Sequence, residues 1–428
     1  MRAGLCLPSS NLYPIKKEVL KMDILKAKEI VVEAGKQLVS TGLIARTWGN
    51  VSCRIDDKQF VITPSGKAYE SLTPDDIVLV QMEDLSYDGD IKPSSEKGIH
   101  AQCYLHRPDI NFVIHTHQAN ASVVSALGCD INNIEGYSKE LIGDNIPVAS
   151  YGLPGTGKLR KGVVGALERS SSKAVIMKHH GAVCLGTDYD DAFKVANEVE
   201  KVCADFVAKK YNEVTNKVTE GFGDVYNYIV ETKAKASLPK PKLTAYDSIR
   251  VDDAVILSDK EGNTVSVVGL CPCCDELIKG EKYPSEADLH KAIYNSREDI
   301  GAIIHSEKEA ITAASKIGAT VKPFLDDFAQ IVGVTVKCAE FDAGDTLKSS
   351  KKVVKALGGK SRNAVLLKNN GAVCCGPNKD EAGATEMVME KNCKTYLAGE
   401  LFGGTKSIGK LDSVVMNVVY RLKYSKQK

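Results

Sequence analysis

An internal repeat constrains the fold of this chain more than any other feature of its sequence. When the 428 residues are shifted by 190 positions, the chain aligns with itself without gaps, so that Lys92 falls on Lys282 and Ser171 on Ser361. The first stretch pairs KPSSEKGIHAQCYLHRPDINFVIHTHQ with KYPSEADLHKAIYNSREDIGAIIHSEK, and the second pairs SSKAVIMKHHGAVCLG with SRNAVLLKNNGAVCCG. A chain of this length is also too long for one ordinary core. The sequence therefore predicts two copies of one domain of roughly 200 residues.

The repeat also predicts the domain boundaries. We expect an N-terminal extension at 1–22, a first domain at 23–236, a linker at 237–244 and a second domain at 245–428. The linker begins SLPKPK, and its prolines favour an exposed, extended segment. A clean amphipathic helical pattern opens at Met22, which suggests that translation starts there. The first copy is longer at its start, since RTWGNVSCRIDDKQFVITPSGKAYESL has no convincing counterpart in the second.

Composition and charge exclude several classes of protein. The chain is 43% hydrophobic and 26% charged with a formal net charge of +1, which gives no reason to expect a nucleic-acid or acidic-membrane partner. No apolar run approaches the ~18–20 residues of a membrane span, and the N-terminus lacks the apolar core of a signal peptide. The 13 cysteines are odd in number and lie mostly in apolar contexts, so we expect reduced, buried thiols in a cytoplasmic protein. The run CPCC at 271–274 resembles a metal clip, but it lacks a second paired motif and a metal role is disfavoured.

Each copy mixes helical and strand patterns. Residues 23–42 and 191–211 carry apolar side chains at the helical period and predict helices. Four short β-branched segments predict strands that are at least half buried: QFVITP, DIVLVQM, NFVIHTH and KAVIMKH. The expected fold class is α/β, an α/β sandwich with helices over a central sheet, although the pattern does not give the strand order.

The histidines of the first copy suggest a metal site. His115 and His117 close a predicted strand, and residues two apart on a strand point to the same face, so both imidazoles can meet one ion. A third ligand would be His179 or His180, and we favour His180 because it abuts Gly181, where the strand ends and the glycine permits a sharp turn. His179 would then point to the other face and pack or hydrogen-bond. Three histidines leave a fourth position open, as in catalytic zinc sites; ordinary interior histidines are the alternative.

The second copy strengthens the metal interpretation. It keeps the apolar frame but has Glu307 in place of His117, and Asn369 and Asn370 in place of the later pair. If the histidines only packed, packing would be expected to hold them in both copies. We therefore expect one metal site, in the first copy, and none in the second. Two further histidines of the first copy are expected on a helix surface or behind the ligands: His100 and His106.

The segment before the histidines has two interpretations. Ser94, Ser95 and Glu96 open a predicted helix, where a serine can act as an N-cap and the helix N-terminus attracts anions. Either these residues only cap the helix, or the serines hold a phosphate and Glu96 transfers protons near the metal. Glu286 keeps the carboxylate in the second copy, so capping alone could explain it.

Three other loops carry weaker signals. WGNVS at 48–52 and TPSGK at 63–67 offer glycine, amide and hydroxyl groups of the kind that bind phosphate, although a simple turn is the plainer interpretation of either. GLPGTGK at 152–158 resembles a P-loop only superficially, because Leu159 stands where that motif needs a hydroxyl. We expect a turn there that leads into a helix.

Taken in order, the motifs GNVSCR, ITPSGKAYESLTPDDIV, PSSEKGIHAQCYLHRPD, VIHTH and KHHGAVCLG resemble the class II aldolase/adducin family, whose typical member is similar to L-fuculose-phosphate aldolase. The resemblance covers Asp23 to about Tyr211, and more weakly Lys282 to about Gly399. It implies the class II aldolase-like α/β/α sandwich in two tandem copies, the second of them degenerate.

The resemblance also implies roles for individual residues. It assigns one Zn²⁺ per chain to His115, His117 and His180, and makes Glu96 the general acid/base that can ligate zinc when substrate is absent. A tyrosine downstream of the first two histidines, Tyr137, is expected to donate a proton across a subunit interface. A catalytic C-terminal tyrosine of the family has no assigned position here. The phosphate group is expected to be held by Gly49, Asn50, Ser65, Gly66, Ser94 and Ser95.

The implied activity is zinc-dependent aldolase chemistry in carbohydrate metabolism. A phosphorylated ketose would be cleaved to dihydroxyacetone phosphate and an aldehyde through a metal-bound ene-diolate. The alternatives are a metal-dependent decarboxylase or epimerase of a sugar or sugar-acid phosphate, or a non-enzymatic scaffold resembling adducin. Family members are commonly tetramers with active sites between neighbours. We therefore expect a homo-oligomer, a dimer of tandem chains that forms a pseudo-tetramer, in which the second copy replaces a neighbouring subunit.

Overall fold

The computed structural model describes residues 22–44, 48–235, 241–271 and 276–424. Nearly all of the N-terminal extension, most of the CPCC motif and the first part of the predicted linker lie outside the described residues. Pro241 and Lys242, the described end of the SLPKPK segment, are exposed, and the next residue, Leu243, is buried in the second core. No helix in the described part of the chain combines the length and the hydropathy needed to cross a bilayer.

The cysteines of the described part are mostly buried thiols. Nine are free, and seven of these nine are buried. Burial raises the pKa of the Cys53 and Cys103 thiols to about 12, which keeps both protonated. Cys271 is disulfide-bonded, so the expectation of reduced thiols is wrong at that position.

The first half of the chain, residues 22–235, forms an α/β/α sandwich. Its helices are α1 (Ile24–Ser40), α2 (Lys97–His106), α3 (Ala119–Leu127), α4 (Gly136–Ile142), α5 (Gly157–Glu168), α6 (Tyr189–Thr215) and α7 (Phe222–Lys233). Its strands are β1 (Asn50–Arg54), β2 (Gln59–Ile62), β3 (Val78–Gln81), β4 (Phe112–Thr116), β5 (Ile131–Asn132), β6 (Asn145–Ile146), β7 (Val148–Ala149), β8 (Ala174–Met177) and β9 (Gly181–Gly186). The main sheet has the order β3-β2-β1-β4-β9-β8-β7 and is antiparallel except for the β7–β8 pair. Helices α1, α3 and α6 cover one face, and α2 and α5 cover the other.

The second half, residues 241–424, repeats this sandwich. Its helices are α8 (Ala287–Ser296), α9 (Glu309–Ile317), α10 (Thr346–Leu357), α11 (Lys379–Leu401) and α12 (Lys410–Val419). Its strands are β10 (Asp247–Val251), β11 (Ala254–Ser258), β12 (Thr264–Gly269), β13 (Leu277–Lys279), β14 (Ala302–Ser306), β15 (Cys338–Ala339), β16 (Ala364–Leu367) and β17 (Ala372–Gly376). The sheet order is β13-β12-β11-β10-β14-β17-β16-β15. The prediction of two tandem α/β sandwiches is confirmed.

The second half has counterparts of the early strands, contrary to the expectation from sequence. In the first half the Ser52 hydroxyl hydrogen-bonds His100 Nδ1 and the Tyr104 hydroxyl, each at 2.6 Å. Ser248 on β10 makes the same pair of contacts with His290 Nδ1 at 2.7 Å and the Tyr294 hydroxyl at 2.8 Å. The serines are 196 positions apart, whereas the histidines and tyrosines are 190 apart. This six-residue difference in spacing hides the early strands from a comparison at one fixed offset. In the sheet of the second half, β10, β11 and β12 take the places of β1, β2 and β3.

The two halves share a hydrophobic core. Helix α11 of the second half packs against α3 and α6 of the first. Val123 and Tyr211 of the first half belong to the same buried cluster as Val388 and Leu397 of the second. Helix α7 also packs on α9 and α11, although it precedes the predicted linker. Packing therefore crosses the domain boundary that was predicted from the repeat.

Candidate metal centre and substrate cleft

Three histidines converge where β4 ends. His115 lies in β4 and His117 follows two residues later, so both side chains project from the same face. His180 lies in the turn that joins β8 to β9, where its backbone N–H donates to the Met177 carbonyl at 3.0 Å. One ligand atom from each of these three side chains lies within 4.8 Å of the others. The structure thus brings together the three residues that were predicted to share an ion.

The β8–β9 turn is built differently from the prediction. Strand β8 ends at Met177, and the residue with left-handed backbone geometry is His179, with φ of 65°, and not Gly181. A glycine is needed at 181 for a different reason, because a Cβ there would lie 2.1 Å from the carbonyl oxygen of Thr116. His179 is turned away from the other histidines, and its Nδ1 donates to the carbonyl of Phe324 in the second half at 2.9 Å.

The Nδ1 atoms of the three histidines face groups outside the shared centre. His115 Nδ1 donates to a carbonyl oxygen of β9 at 2.9 Å. His180 Nδ1 donates to the Asp326 carboxylate at 3.1 Å, and His117 Nδ1 lies 3.7 Å from the Asp327 carboxylate. Both aspartates belong to the second half. With their Nδ1 atoms engaged, His115 and His180 direct Nε2 toward the common centre.

Glu96 lies against two of the histidines. Its Oε1 accepts from His180 Nε2 at 3.0 Å, and its Oε2 lies 3.3 Å from His115 Nε2. The Asn50 amide donates to the same Oε2 at 3.1 Å. Glu96 occupies the N-cap position of α2, yet its side chain makes no capping hydrogen bond, and its own N–H donates to Ser94 Oγ at 3.2 Å. Capping therefore does not account for this carboxylate.

A buried hydrogen-bond network holds Asn50 and, through it, Glu96. His100 is fully buried, with Nε2 against the Asn50 amide oxygen and Nδ1 2.6 Å from the Ser52 hydroxyl. Asn50 lies beside His115 in the β1–β4 pairing, so the network and the ligands share adjacent strands. His106 lies at the end of α2 with its side chain 26% exposed, away from this network.

Burial and neighbouring charges shift the pKa values of these groups in opposite directions. Burial lowers the pKa of His115 to about 4 and that of His117 to about 3. Burial also acts to lower the pKa of His180, but the charges of Glu96 and Asp326 outweigh it and raise the value to about 10. Burial acts to raise the pKa of Glu96, but the charges of the adjacent histidines hold it well below its ordinary value. Two imidazoles are therefore neutral, the form that a metal ion requires.

The residues at this centre fit a metal ion. His115 Nε2 is buried and has no hydrogen-bond partner among the described residues. A buried polar atom of this kind is unfavourable unless something satisfies it. Three imidazoles with a carboxylate alongside are a donor set suited to Zn²⁺. The ligands would be His115, His117 and His180, with Glu96 beside them.

A cavity of about 820 Å³ opens beside the histidines and is lined by both halves of the chain. All six residues predicted to bind phosphate line it: Gly49, Asn50, Ser65, Gly66, Ser94 and Ser95. The second half contributes lining residues that sequence reasoning did not identify: Asp327, Asn378, Glu381, Val415, Met416 and Tyr420. We call this cavity the cleft.

The loops of the cleft depend on glycine geometry. Gly49 has φ of 97°, and a Cβ there would lie 2.5 Å from the His115 carbonyl oxygen, so only glycine fits. Gly66 also has a left-handed backbone, with φ of 78°. Thr156 caps α5 by accepting from the Leu159 N–H at 3.4 Å, which confirms the predicted turn and helix. The same turn lines the cleft, a role that the sequence did not reveal.

The corresponding positions of the second half are closed by hydrogen bonds. His305 Nδ1 contacts the Glu286 carboxylate, and His305 Nε2 donates to the Asn370 carbonyl at 2.7 Å. The Asn370 side-chain oxygen accepts the N–H of Leu243 at 3.1 Å. Across the described ranges, the three histidines of the first half are the one group of three or more potential ligands placed to hold a metal.

Tyr137 does not lie in the cleft. It is on α4 with 58% of its surface exposed, and it is not among the described residues that line the cavity. The residue 190 positions later, Asp327, does line the cleft and lies close to His117. A signal for it existed in the sequence, since FLDDFAQIV places two acidic residues inside an apolar run. A proton-donor role for Tyr137 stays a prediction.

Comparison with known proteins agrees with the geometry. The family described as "Class II Aldolase and Adducin N-terminal domain" matches the chain twice, at residues 29–207 and 230–397. The chain therefore belongs to this family, with two tandem copies of its domain.

Among individual relatives, the chain is 33% identical over 177 residues to 5-deoxy-D-ribulose 1-phosphate aldolase of Bacillus thuringiensis serovar kurstaki, covering 41% of this chain and 81% of that one. It is 35% identical over 170 residues to L-fuculose phosphate aldolase of Escherichia coli strain K12, covering 40% of this chain and 77% of that one. A solved structure of L-fuculose 1-phosphate aldolase aligns with 28% identity and a TM-score of 0.41, over 45% of this chain and 90% of that chain. The two aldolases of Bacillus thuringiensis and Escherichia coli support an aldolase-like enzyme.

Proposed function

We propose that this protein is a zinc-dependent aldolase that cleaves a phosphorylated ketose to dihydroxyacetone phosphate and an aldehyde. The observation that carries the proposal is the convergence of buried His115 and His180 with half-buried His117, with Glu96 against two of them, beside a cleft of about 820 Å³. Zinc held by this trio would act as a Lewis acid on the carbonyl and hydroxyl oxygens of the ketose. The sugar-phosphate aldolases among the relatives support the same substrate class.

Glu96 is proposed as the general acid/base. In the cleavage direction the bond between C3 and C4 of the ketose breaks, and its electron pair stays on C3. In the reverse reaction the Glu96 carboxylate, the form that its lowered pKa favours, takes a proton from C3, and in cleavage the protonated Glu96 carboxyl returns that proton to C3. The hydrogen bond from Asn50 at 3.1 Å fixes which way the carboxylate points. The group that exchanges the second proton, at the C4 oxygen, is left unassigned, because exposed Tyr137 would face the metal-free second half of another chain in the arrangement proposed below.

The first-half loops of the cleft are proposed to bind the phosphate group. They bring hydroxyls and glycine-rich backbone together within one cavity, and such loops bind phosphate through fixed donors. Anchoring the phosphate orients the reacting carbons of the ketose with respect to Glu96. The residues proposed for this role are Gly49, Asn50, Ser65, Gly66, Ser94 and Ser95.

A substrate panel tests the proposal. Purified full-length protein, with and without a chelator, is given 5-deoxyribulose 1-phosphate, fuculose 1-phosphate and a set of sugar-acid phosphates. Chelator-sensitive formation of dihydroxyacetone phosphate is expected with at least one ketose 1-phosphate. Release of carbon dioxide or epimerisation without cleavage would instead identify a decarboxylase or an epimerase. The absence of all chelator-sensitive turnover would favour a scaffold like adducin.

The second half is proposed to take the place of a neighbouring subunit. Support comes from the cleft, one wall of which belongs to the second half, and from exposed Tyr137, which corresponds to Asp327 in the buried interface. Docking the exposed face on the second half of another chain would close a ring of two chains, a pseudo-tetramer. Light scattering should give the mass of a dimer, and elemental analysis should find two zinc ions per dimer. A monomer with full activity would contradict this arrangement.

A further inference from the structure

We propose that Asp326 and Asp327 of the second half are positioning residues for the metal ligands His180 and His117. On this proposal, the affinity of the first half for its metal depends on two carboxylates from the copy that lacks a metal site of its own. The inference rests on the metal centre proposed above, but not on the identity of the substrate.

The contact between Asp326 and His180 is closely constrained. The carboxylate oxygen of Asp326 accepts from His180 Nδ1 at 3.1 Å, and both side chains are at least 95% buried. The backbone N–H of Asp326 donates to the carbonyl of His179 at 2.9 Å. His179 in turn donates from Nδ1 to the Phe324 carbonyl at 2.9 Å. The segment that carries Asp326 is thus tied to the β8–β9 turn by three hydrogen bonds, so it cannot shift without moving His180.

Asp327 is placed against His117 in a similar way. Its carboxylate lies 3.7 Å from His117 Nδ1, and its side chain is 2% exposed. Lys391 of α11 contacts the same carboxylate and donates to the backbone carbonyl of His117 at 3.3 Å. Lys391 therefore holds both the carboxylate and the backbone of the ligand, and its charge offsets that of Asp327.

Hydrogen bonding at this interface is incomplete within the described residues. Oδ1 of Asp326 and Oδ1 of Asp327 are both buried without a hydrogen-bond partner there. Buried acceptors of this kind cost stability, and apolar side chains would fill the same space without that cost. Interface stability alone therefore does not account for two aspartates at these positions, whereas orientation of the histidines does.

Carboxylates behind metal-bound histidines have a known physical effect. A hydrogen bond from the outer ring nitrogen fixes the tautomer and the ring orientation, and it makes the inner nitrogen a better ligand. His115 has a carbonyl of its own half in this role, and His180 has Asp326. His117 Nδ1 makes no hydrogen bond within the described residues, but it faces the Asp327 carboxylate at 3.7 Å. The second half thus places a hydrogen-bonded carboxylate behind one ligand and an ion-pair partner behind another.

Metal affinity of the full-length protein tests the proposal. Zn²⁺ and Co²⁺ dissociation constants are measured by chelator competition for the wild type and for Asp326→Ala, Asp326→Asn, Asp327→Ala and Asp327→Asn. We expect each alanine variant to bind 10–100-fold more weakly. The asparagine variants keep an acceptor at the same position and should lose less, and the visible spectrum of bound Co²⁺ should shift in the alanine variants.

The thermal midpoint of the metal-free protein separates positioning from a structural role. It should fall in Asp327→Ala, because buried Lys391 loses the carboxylate that it contacts, and it should change least in the asparagine variants, which keep an acceptor at the same position. Glu390→Gln is the matched control: Glu390 is an acid of the second half that accepts the N–H groups of Ala310 and Ile311 at 3.0 Å. It should lower the thermal midpoint and leave metal affinity unchanged.

Three results distinguish a failure of this inference from a failure of the proposed function. Wild-type metal affinity in all four aspartate variants would refute it and leave the two residues a structural role only. A wild-type protein that binds no metal would refute both this inference and the proposed function. A wild type that binds metal with the predicted dependence on Asp326 and Asp327, but cleaves no ketose phosphate, would refute the proposed function alone.

Discussion

The Nε2 atom of His305 lies 2.7 Å from the carbonyl oxygen of Asn370, at the positions of the second half that correspond to His115 and His180. In the first half the equivalent nitrogen, His115 Nε2, is buried without a hydrogen-bond partner in the described residues. The same fold therefore leaves a ligand atom available in one copy and engages it in the other. This difference, and not the fold, determines where we expect metal.

The first prediction concerns metal content. Elemental analysis should find one zinc per chain, and His180→Asn should reduce it to near zero, because two imidazoles alone hold zinc weakly. His106→Asn is the matched control, since His106 lies at the end of α2, away from the three ligands. It should retain the full metal content. Two zinc ions per chain would contradict the assignment of the second half as metal-free.

The second prediction concerns Glu96. Glu96→Gln keeps the size of the side chain and the contact with Asn50, but it cannot exchange a proton. We expect kcat for ketose cleavage to fall about 10²–10⁴-fold, while zinc content stays at the wild-type level. Steady-state kinetics combined with elemental analysis checks this. If zinc is lost together with activity, Glu96 acts mainly as a ligand.

The third prediction concerns the phosphate group. Removing one hydrogen bond to a charged oxygen should lower kcat/KM about tenfold in Ser95→Ala. The loss should appear with phosphorylated ketoses and not with the slow cleavage of the unphosphorylated sugar. Ser71→Ala is a suitable control, because Ser71 donates to the Ala68 carbonyl at 3.0 Å in another loop. Equal losses for both kinds of substrate would argue that Ser95 does not contact phosphate.

The fourth prediction concerns the pH dependence of stability in the second half. Burial acts to raise the pKa of Glu286, but the charge of His305 outweighs it and lowers the value from 4.5 to about 2. Burial acts to lower the pKa of His305, but the charge of Glu286 raises it above 6.5. The stabilisation from Glu286 is present above pH 4.5 and is lost as the pH falls toward 2. The stabilisation from His305 is present below pH 6.5 and is lost as the pH rises through its raised pKa.

Breaking the Glu286–His305 pair should therefore lower the free energy of unfolding most between pH 4.5 and pH 6.5, where both contributions are fully present. His305→Gln is expected to lower the free energy of unfolding by about 3 kcal/mol near pH 5.5, and by less at higher and lower pH. Urea unfolding across the pH range, with His106→Gln as an exposed-site control, measures the difference. A destabilisation that does not vary with pH would show that the pair is not ionised in the folded protein.

Much of the fold was open to prediction from local patterns. The strand that contains His115 and ends just before His117, the helix that begins near Asp23 and the turn into α5 follow from side-chain period and capping, which depend on near neighbours. The early strands of the second half were missed because Ser248 lies 196 positions after Ser52, six more than the repeat offset of 190. The turn at His179 was missed because Gly181, two residues later, was the more obvious candidate for left-handed geometry.

Two copies of one α/β domain, and a full set of histidines in the first copy alone, can be identified from the order of residues along the chain. Those features are encoded within single strands and turns, where side-chain direction is fixed by local backbone geometry. The contacts of Asp326, Asp327 and Lys391 with the histidines of the other copy are visible only in the folded chain. No local rule specifies such contacts, because they arise when α11 packs against α3 and α6 and brings distant segments of the chain together.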